Sequence, residues 1–231
     1  MDESLKEQYV YRVFQKISKG YDRANRRISF GLQGSWKKML IRQLEKRTPF
    51  RGNVLDVCCG TGDISQGIAK VRPDLNVTGL DFSPAMLRIA KAGNKRKNVH
   101  FRRGNALELP FEDDRFDGVC ISFGLRNTSD YKRVLHEMRR VTKPGGYIYC
   151  LDSFVPENVL IRPFYTLYFR FVMPLLGGGI KHLEEYRWLY RSTKHFLRPE
   201  ELRILLVRSG IRKIRSKTRM FGACNLIWGQ K

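Results

Sequence analysis

NVLDVCCGTGDISQGIAKVRPDLNVTGLD, running from Asn53 to Asp81, is the stretch whose reading decides the fold. Its first apolar run, NVLDVC, ends in the turn Gly60-Thr61-Gly62 and passes into DISQGIAKV, which makes a strand, a tight turn and a helix. The second run, NVTGLD, ends on Asp81. Ser83-Pro84 then reads as a helix start, with Met86, Leu87, Ile89 and Ala90 as the apolar face of that helix. Two βα units in succession predict a parallel α/β sheet. NVHFRR supplies a third strand ending near Asn105, and RFDGVCIS (Arg115 to Ser122) a fourth. A helix carrying Val134, Leu135, Met138 and Val141 follows, and the Lys143-Pro144-Gly145-Gly146 turn feeds a fifth strand, YIYCLD.

From Ser153 to about Arg198 the alternation stops, and a basic, aromatic-rich insertion intervenes. PEELRILLVRSG resumes as a helix, with Pro199 in its first turn and Gly210 at its end. IRKIRSKTR and ACNLIWGQK read as two strands joined at Phe221-Gly222 and paired antiparallel. The expected organisation is one domain over residues 1–231. A helical segment to residue 50 lies over the substrate, a cofactor-binding core spans 51–152, the insertion or lid 153–198, and a helix with a strand pair 199–231.

Lys+Arg total 44 against 22 Asp+Glu, a net charge of +22 in 231 residues. Such an excess points to anionic surroundings, nucleic acid or lipid, and charge alone does not choose between them. Eight bases and no acid follow Leu202, either as a solvated strand face or as a contact surface. The five cysteines (Cys58, Cys59, Cys120, Cys150, Cys224) form no CxxC pair, which fits a reducing compartment. The N-terminus lacks the apolar run of a signal peptide, so a cytoplasmic location is expected. The most apolar stretch, Phe164 to Ile180, contains Arg170, Pro174 and three glycines and is too short to span a bilayer. The histidines form no recognisable metal cluster, and no metal is expected.

Strand, Gly60-x-Gly62, helix and a second strand ending on an acid form the cradle of a nucleotide-type cofactor at the carboxyl edge of a sheet. Asp81 is placed to accept hydrogen bonds from both ribose hydroxyls. A dinucleotide requires a third glycine where Ser65 stands, and its pyrophosphate would face Asp63. A ligand with an adenosine and a positively charged amino-acid end suits Asp56 and Asp63 better, and S-adenosylmethionine is that ligand. The Asn105 amide, with Ala106 beside it, is placed to meet the adenine edge.

LDVCCGTGD, GLDFSPAML, GNALELPFEDDRFDGV and RVTKPGG together resemble a class I S-adenosylmethionine-dependent methyltransferase. YDRANRRISFGLQGSW (Tyr21 to Trp36), ISFGLRNTSD (Ile121 to Asp130) and EEYRWLYRSTKHFLRPEEL narrow the resemblance to the menaquinone and ubiquinone ring C-methyltransferase family (UbiE/MenG). The resemblance implies a Rossmann-like α/β fold. It has a mostly parallel seven-stranded sheet with an antiparallel last strand, helices on both faces, and a helical aromatic-rich insertion before the last two strands. It places cofactor contacts on Thr61, Asp81, Asn105, Ala106 and Ser122, and the full candidate set adds Asp56, Gly60, Gly62 and Phe82. This chain differs from the family's usual pattern at Ala24, Gln33, Asp152, Phe154 and Arg191.

The activity implied is methyl transfer from the sulfonium to a ring carbon of a polyprenylated quinol. A ring carbon becomes nucleophilic when its neighbouring phenol, of ordinary pKa about 10, is ionised. Arg126 suits the oxyanion as a fixed cation. Asp152, or a water held by Asn127 and Tyr21, is the expected proton acceptor. Phe154, Phe164, Tyr165, Tyr168, Phe169 and Phe171 in the insertion are either core or a greasy lid for the isoprenoid tail, with a basic rim on anionic lipid. Peripheral membrane contact and a homodimer are expected, and nucleic-acid binding is not. The competing readings are a nucleic-acid methyltransferase and a non-catalytic module of the same fold.

Overall fold

The computed structural model describes residues 3–178 and 182–231. Its first three helices are α1 (Glu3–Ile17), α2 (Tyr21–Ile28) and α3 (Leu32–Glu45), and the alternation expected from sequence begins after them. The order is β1 (Asn53–Val57), α4 (Asp63–Val71), β2 (Asn76–Asp81), α5 (Pro84–Ala92), β3 (Val99–Arg103) and β4 (Phe116–Ser122). Ser83 caps α5 by accepting from the Met86 N–H at 3.3 Å, with Pro84 in the first turn. After α6 (Tyr131–Val141) comes β5 (Thr142–Ser153). Lys143 to Gly146 is not a turn outside this strand. Ladder pairing already begins at Thr142, and the four residues bulge between the Phe116↔Thr142 and Gly118↔Tyr147 pairs, with Gly145 at φ +81°.

The insertion is helical: α7 (Ile161–Leu167), a π-helical turn over Tyr168–Val172, α8 (Met173–Gly178) and α9 (Leu183–Lys194). The chain closes with α10 (Pro199–Arg208), β6 (Arg212–Arg219) and β7 (Cys224–Gln230). Gly210, at φ +81°, ends α10 in a Schellman turn, in which Ile211 N–H donates to Leu206 O and Gly210 N–H to Val207 O.

The seven strands are ordered β3-β2-β1-β4-β5-β7-β6, and β7 alone runs against its neighbours. Strand alternation sends Leu55, Val119 and Ile148 to one face, against Val134 and Met138 of α6 and Leu202 of α10. Val54, Cys120 and Tyr149 face the other way, against Leu40 and Leu44 of α3 and Ile68 of α4. A third apolar cluster joins Val10, Val13 and Ile17 of α1 to Met173, Tyr186 and Leu189 of the insertion. Two segments more than 150 residues apart therefore share one core, set where cofactor and substrate are expected to meet.

Candidate active site

At the carboxyl edge of β2, Asp81 is 5% exposed. Its two oxygens accept from Gly60 N–H at 2.8 Å and Ser83 N–H at 2.9 Å, so one carboxylate ties the turn after β1 to the turn after β2. Each oxygen keeps a lone pair for a hydroxyl. Burial raises the Asp81 pKa to about 6 against the pull of those N–H donors. Asp56 lies deeper and its pKa is raised to about 7, again chiefly by burial, although Ser65 Oγ donates to it at 2.6 Å.

Gly60, Asp81, Phe82, Asn105, Ala106 and Ser122 line one cavity of about 750 Å3. A Cβ at Gly60 would meet only open space, which leaves room for a ligand against the backbone. Ser122 Oγ is buried with no hydrogen-bond partner among the described residues. Asn105 Oδ1 accepts from Leu107 N–H at 3.1 Å, leaving the amide NH2 for a ligand. An open glycine, an orphaned hydroxyl and a shared carboxylate fit an adenosine and its ribose. Asp56, Thr61 and Asp63 line a narrower arm of about 370 Å3 beside it, where Lys37 pairs with Asp63 at 2.9 Å.

Two expectations change here. Gly62 lines neither space; it stands at φ +83°, and a Cβ there would lie 2.6 Å from the Phe101 ring, so it is a packing glycine. The Thr61 hydroxyl is already engaged, donating to Asp22 Oδ1 at 3.0 Å.

A second, largely apolar cavity of about 1210 Å3 opens between α2, α3 and the insertion. Tyr21 and Phe123 line both large cavities and form the wall between them. Phe123 follows β4 at φ +55°, a strained conformation held by its N–H donating to Leu151 O at 2.7 Å. Its carbonyl accepts from Arg126 Nη1 at 3.0 Å, which seats the guanidinium beside the dividing wall and in the lining of the apolar cavity.

Asp152 is placed differently from expectation. It is 1% exposed and lines neither large cavity. It pairs with Arg126 Nη1 and accepts from Ser153 N–H at 2.8 Å. Its pKa is raised by burial and drawn back by Arg126, so it is the counter-ion that holds the guanidinium rather than a group facing substrate. Asn127 faces the cofactor cavity, but its side chain is committed, accepting from Trp188 Nε1 at 3.1 Å and donating to Phe123 O at 3.3 Å.

The aromatic insertion divides three ways. Phe154 is core, Tyr165, Tyr168 and Phe169 line the cavity together with the more exposed Phe164, and Phe171 is exposed outside it. Sequence reasoning expected a helical segment before residue 50 to cover the substrate but named no residue of α1, whose Glu7, Val10 and Phe14 roof the cofactor cavity, with Glu7 accepting from Ser129 Oγ at 2.6 Å. The apolar spacing of Val10, Val13, Phe14 and Ile17 was the signal available. Of the departures from the family pattern, Asp152 is the partner of Arg126 just described, and Ala24 is buried in the third core beside Tyr21. Gln33 lines the apolar cavity, and Phe154 packs in the core below; Arg191 is on the surface.

Solved structures share this architecture. A methyltransferase from Thermotoga maritima aligns with a TM-score of 0.66 at 20% identity, over 96% of this chain and 99% of that one. A Haemonchus contortus phosphoethanolamine N-methyltransferase in complex with S-adenosyl-L-methionine aligns at 0.63 and 15% identity, over 84% of this chain and 52% of that one. At such identities the likeness speaks for the fold. In sequence, demethylmenaquinone methyltransferases from Staphylococcus aureus strains JH9 and Newman are 42% identical over 100% of this chain and 96% of their own length. The model of the ubiE/COQ5 methyltransferase family matches residues 2–231. A sheet edge built for S-adenosylmethionine thus coincides with a sequence match along almost every residue, and the chain belongs to the ubiE/COQ5 methyltransferase family.

Proposed function

We propose that this enzyme methylates a ring carbon of a polyprenylated hydroquinone, demethylmenaquinol, the reduced form of the demethylmenaquinone its staphylococcal relatives are named for. The observation that carries the reading is the single wall of Tyr21 and Phe123 between a cofactor cavity and an apolar cavity with a buried guanidinium beside it. S-adenosylmethionine supplies the electrophilic methyl group when bound. Arg126 places a permanent positive charge where the quinol oxygen ionises, lowering the pKa of that hydroxyl so that water suffices as proton acceptor. Asp152 fixes the guanidinium, Asn127 and Trp188 brace the turn behind it, and Tyr21 sets the distance between the ring and the cofactor side.

The substrate's tail argues for work at a membrane surface. No helix among the described residues is long and apolar enough to cross one. Phe30, Phe164 and Phe221 line the cavity and are exposed, and Phe171, Arg162 and Arg170 share an exposed groove on the same insertion as Phe164. Five bases of β6 lead up to Phe221. An apolar rim ringed by positive charge suits an anionic bilayer, from which the isoprenoid chain slides into the cavity.

Incubation with methyl-labelled S-adenosylmethionine tests the reading, with reduced demethylmenaquinone, a reduced ubiquinone precursor and total RNA in parallel. Label in the naphthoquinol is the expected result. Label in the ubiquinone precursor alone would move the acceptor to the benzoquinol series, and label in RNA alone would sink the quinol reading.

A further inference from the structure

The walls of the apolar cavity hold three buried polar atoms with no hydrogen-bond partner among the described residues: Asn25 Nδ2, Arg126 Nε and Tyr165 Oη. All three residues are at least nine-tenths buried, a setting in which an unpaired polar group is costly unless a ligand completes it. Two of them stand by the dividing wall. Arg126 is bonded to the carbonyl of Phe123, and Asn25 is four residues along α2 from Tyr21, whose hydroxyl pKa burial raises against the opposing pull of Arg126, Lys37 and Asn25. Tyr165 belongs to α7, stacks on Phe169 with ring centroids 4.0 Å apart, and lines the apolar cavity only.

A para-hydroquinone presents two oxygens at opposite ends of its ring. The acceptor carbon is ortho to one oxygen, whose ionisation raises electron density there, and meta to the other, whose ionisation does not. The second hydroxyl therefore needs a neutral partner. Burial raises the Tyr165 pKa, so its phenol stays protonated and meets that requirement.

We propose that Tyr165 Oη hydrogen-bonds the ring hydroxyl that stays neutral, next to the prenyl-bearing carbon, and so fixes which carbon faces the cofactor. The inference rests on the quinol reading above and adds a specificity determinant to it. Arg126 and Asn25 take the ionising oxygen, Tyr165 takes the other, and a ring held at both ends cannot turn over in the cavity.

Wild type and Tyr165→Phe are compared on reduced demethylmenaquinone with a short tail and on the matching 3-prenyl-1-naphthol, which lacks the second hydroxyl. The variant is expected to raise KM for the hydroquinone about threefold to tenfold, the effect of one neutral hydrogen bond, with kcat within roughly twofold. On the naphthol the two enzymes should behave alike. The free variant should also melt about 2–4 °C higher, because it no longer buries an unpaired hydroxyl. Equal losses on both substrates, or no loss on the hydroquinone, would overturn the assignment of Tyr165. Failure of wild type to methylate either compound would overturn the quinol reading and this inference with it.

Discussion

The Thr61 hydroxyl donates to the Asp22 carboxylate at 3.0 Å, and this bond ties the N-terminal helices to the glycine turn that faces the cofactor. Thr61 lines the narrow arm beside the cofactor cavity and Asp22 belongs to α2, so the bond fastens the N-terminal helices to the wall of that arm. Thr61→Val removes the donor at nearly constant volume. Amide hydrogen exchange across residues 3–28 should quicken by about tenfold in this variant, the equivalent of one charge-assisted hydrogen bond. An unchanged exchange rate would show that the roof is held by its apolar contacts alone.

Arg126 and Asp152 form a pair buried on both sides. Arg126→Ala should lower kcat by about 10²–10³ and cost about 3–5 kcal/mol of stability, because a carboxyl is left buried without its counter-charge. The Asp152 pKa already lies above its ordinary value in the folded protein and rises further once Arg126 is removed. Stability linked to a raised carboxyl pKa is present at low pH and lost as pH climbs through the folded value. The variant should therefore be less destabilised at pH 5 than at pH 8, and urea unfolding at the two pH values measures the difference.

Asp81 and Asp56, at about 6 and about 7, titrate close to neutrality when no cofactor is bound. A sulfonium favours the ionised carboxylates, so binding releases protons and affinity should rise between pH 5.5 and pH 8. The neutral thioether product should show a shallower rise over the same range. Calorimetric titration with each ligand checks this, and parallel slopes for the two would remove these carboxylates from sulfonium recognition. The cofactor-free protein should lose stability from about pH 4 to pH 7, since both folded-state values lie above that of an unfolded aspartate.

Phe164 and Phe171 project from the insertion beside Arg162 and Arg170. Replacing both phenylalanines by serine should weaken sedimentation with phosphatidylglycerol vesicles by about tenfold or more, given the apolar area removed. Light scattering distinguishes this from self-association. A double variant that binds vesicles normally but changes from dimer to monomer would identify the rim as a contact between copies.

Legibility from sequence followed locality. The strand ends, the caps of α5 and α10 and the place of Asp81 depend on residues close together in the chain, and they were readable. Asp152 was misread because its partner lies 26 residues away across β4 and β5, a separation that composition does not reveal. The packing role of Gly62 is invisible in sequence because its neighbour Phe101 comes from β3, two strands over. In the insertion, a π-helical turn shifts the facing of residues beyond α7, so no single period could sort core aromatics from lining and exposed ones. The roof over the cofactor is illegible for the same reason as the third core: many of the partners of α1, among them Phe82, Ser129, Met173 and Tyr186, lie far along the chain.

The strand that ends the sheet bears on solubility as well as on lipid. β6 has a neighbour on one side only, and an unpaired strand edge invites another chain to add to it. Along it stand Arg212, Lys213, Arg215, Lys217 and Arg219, every one exposed. Two such edges brought together would set ten like charges at strand spacing, a repulsion that guards the native fold against stacking into fibrils. Polyanions or concentrated salt lift that guard, so the conditions that best quiet the charge of this protein are also those most apt to precipitate it.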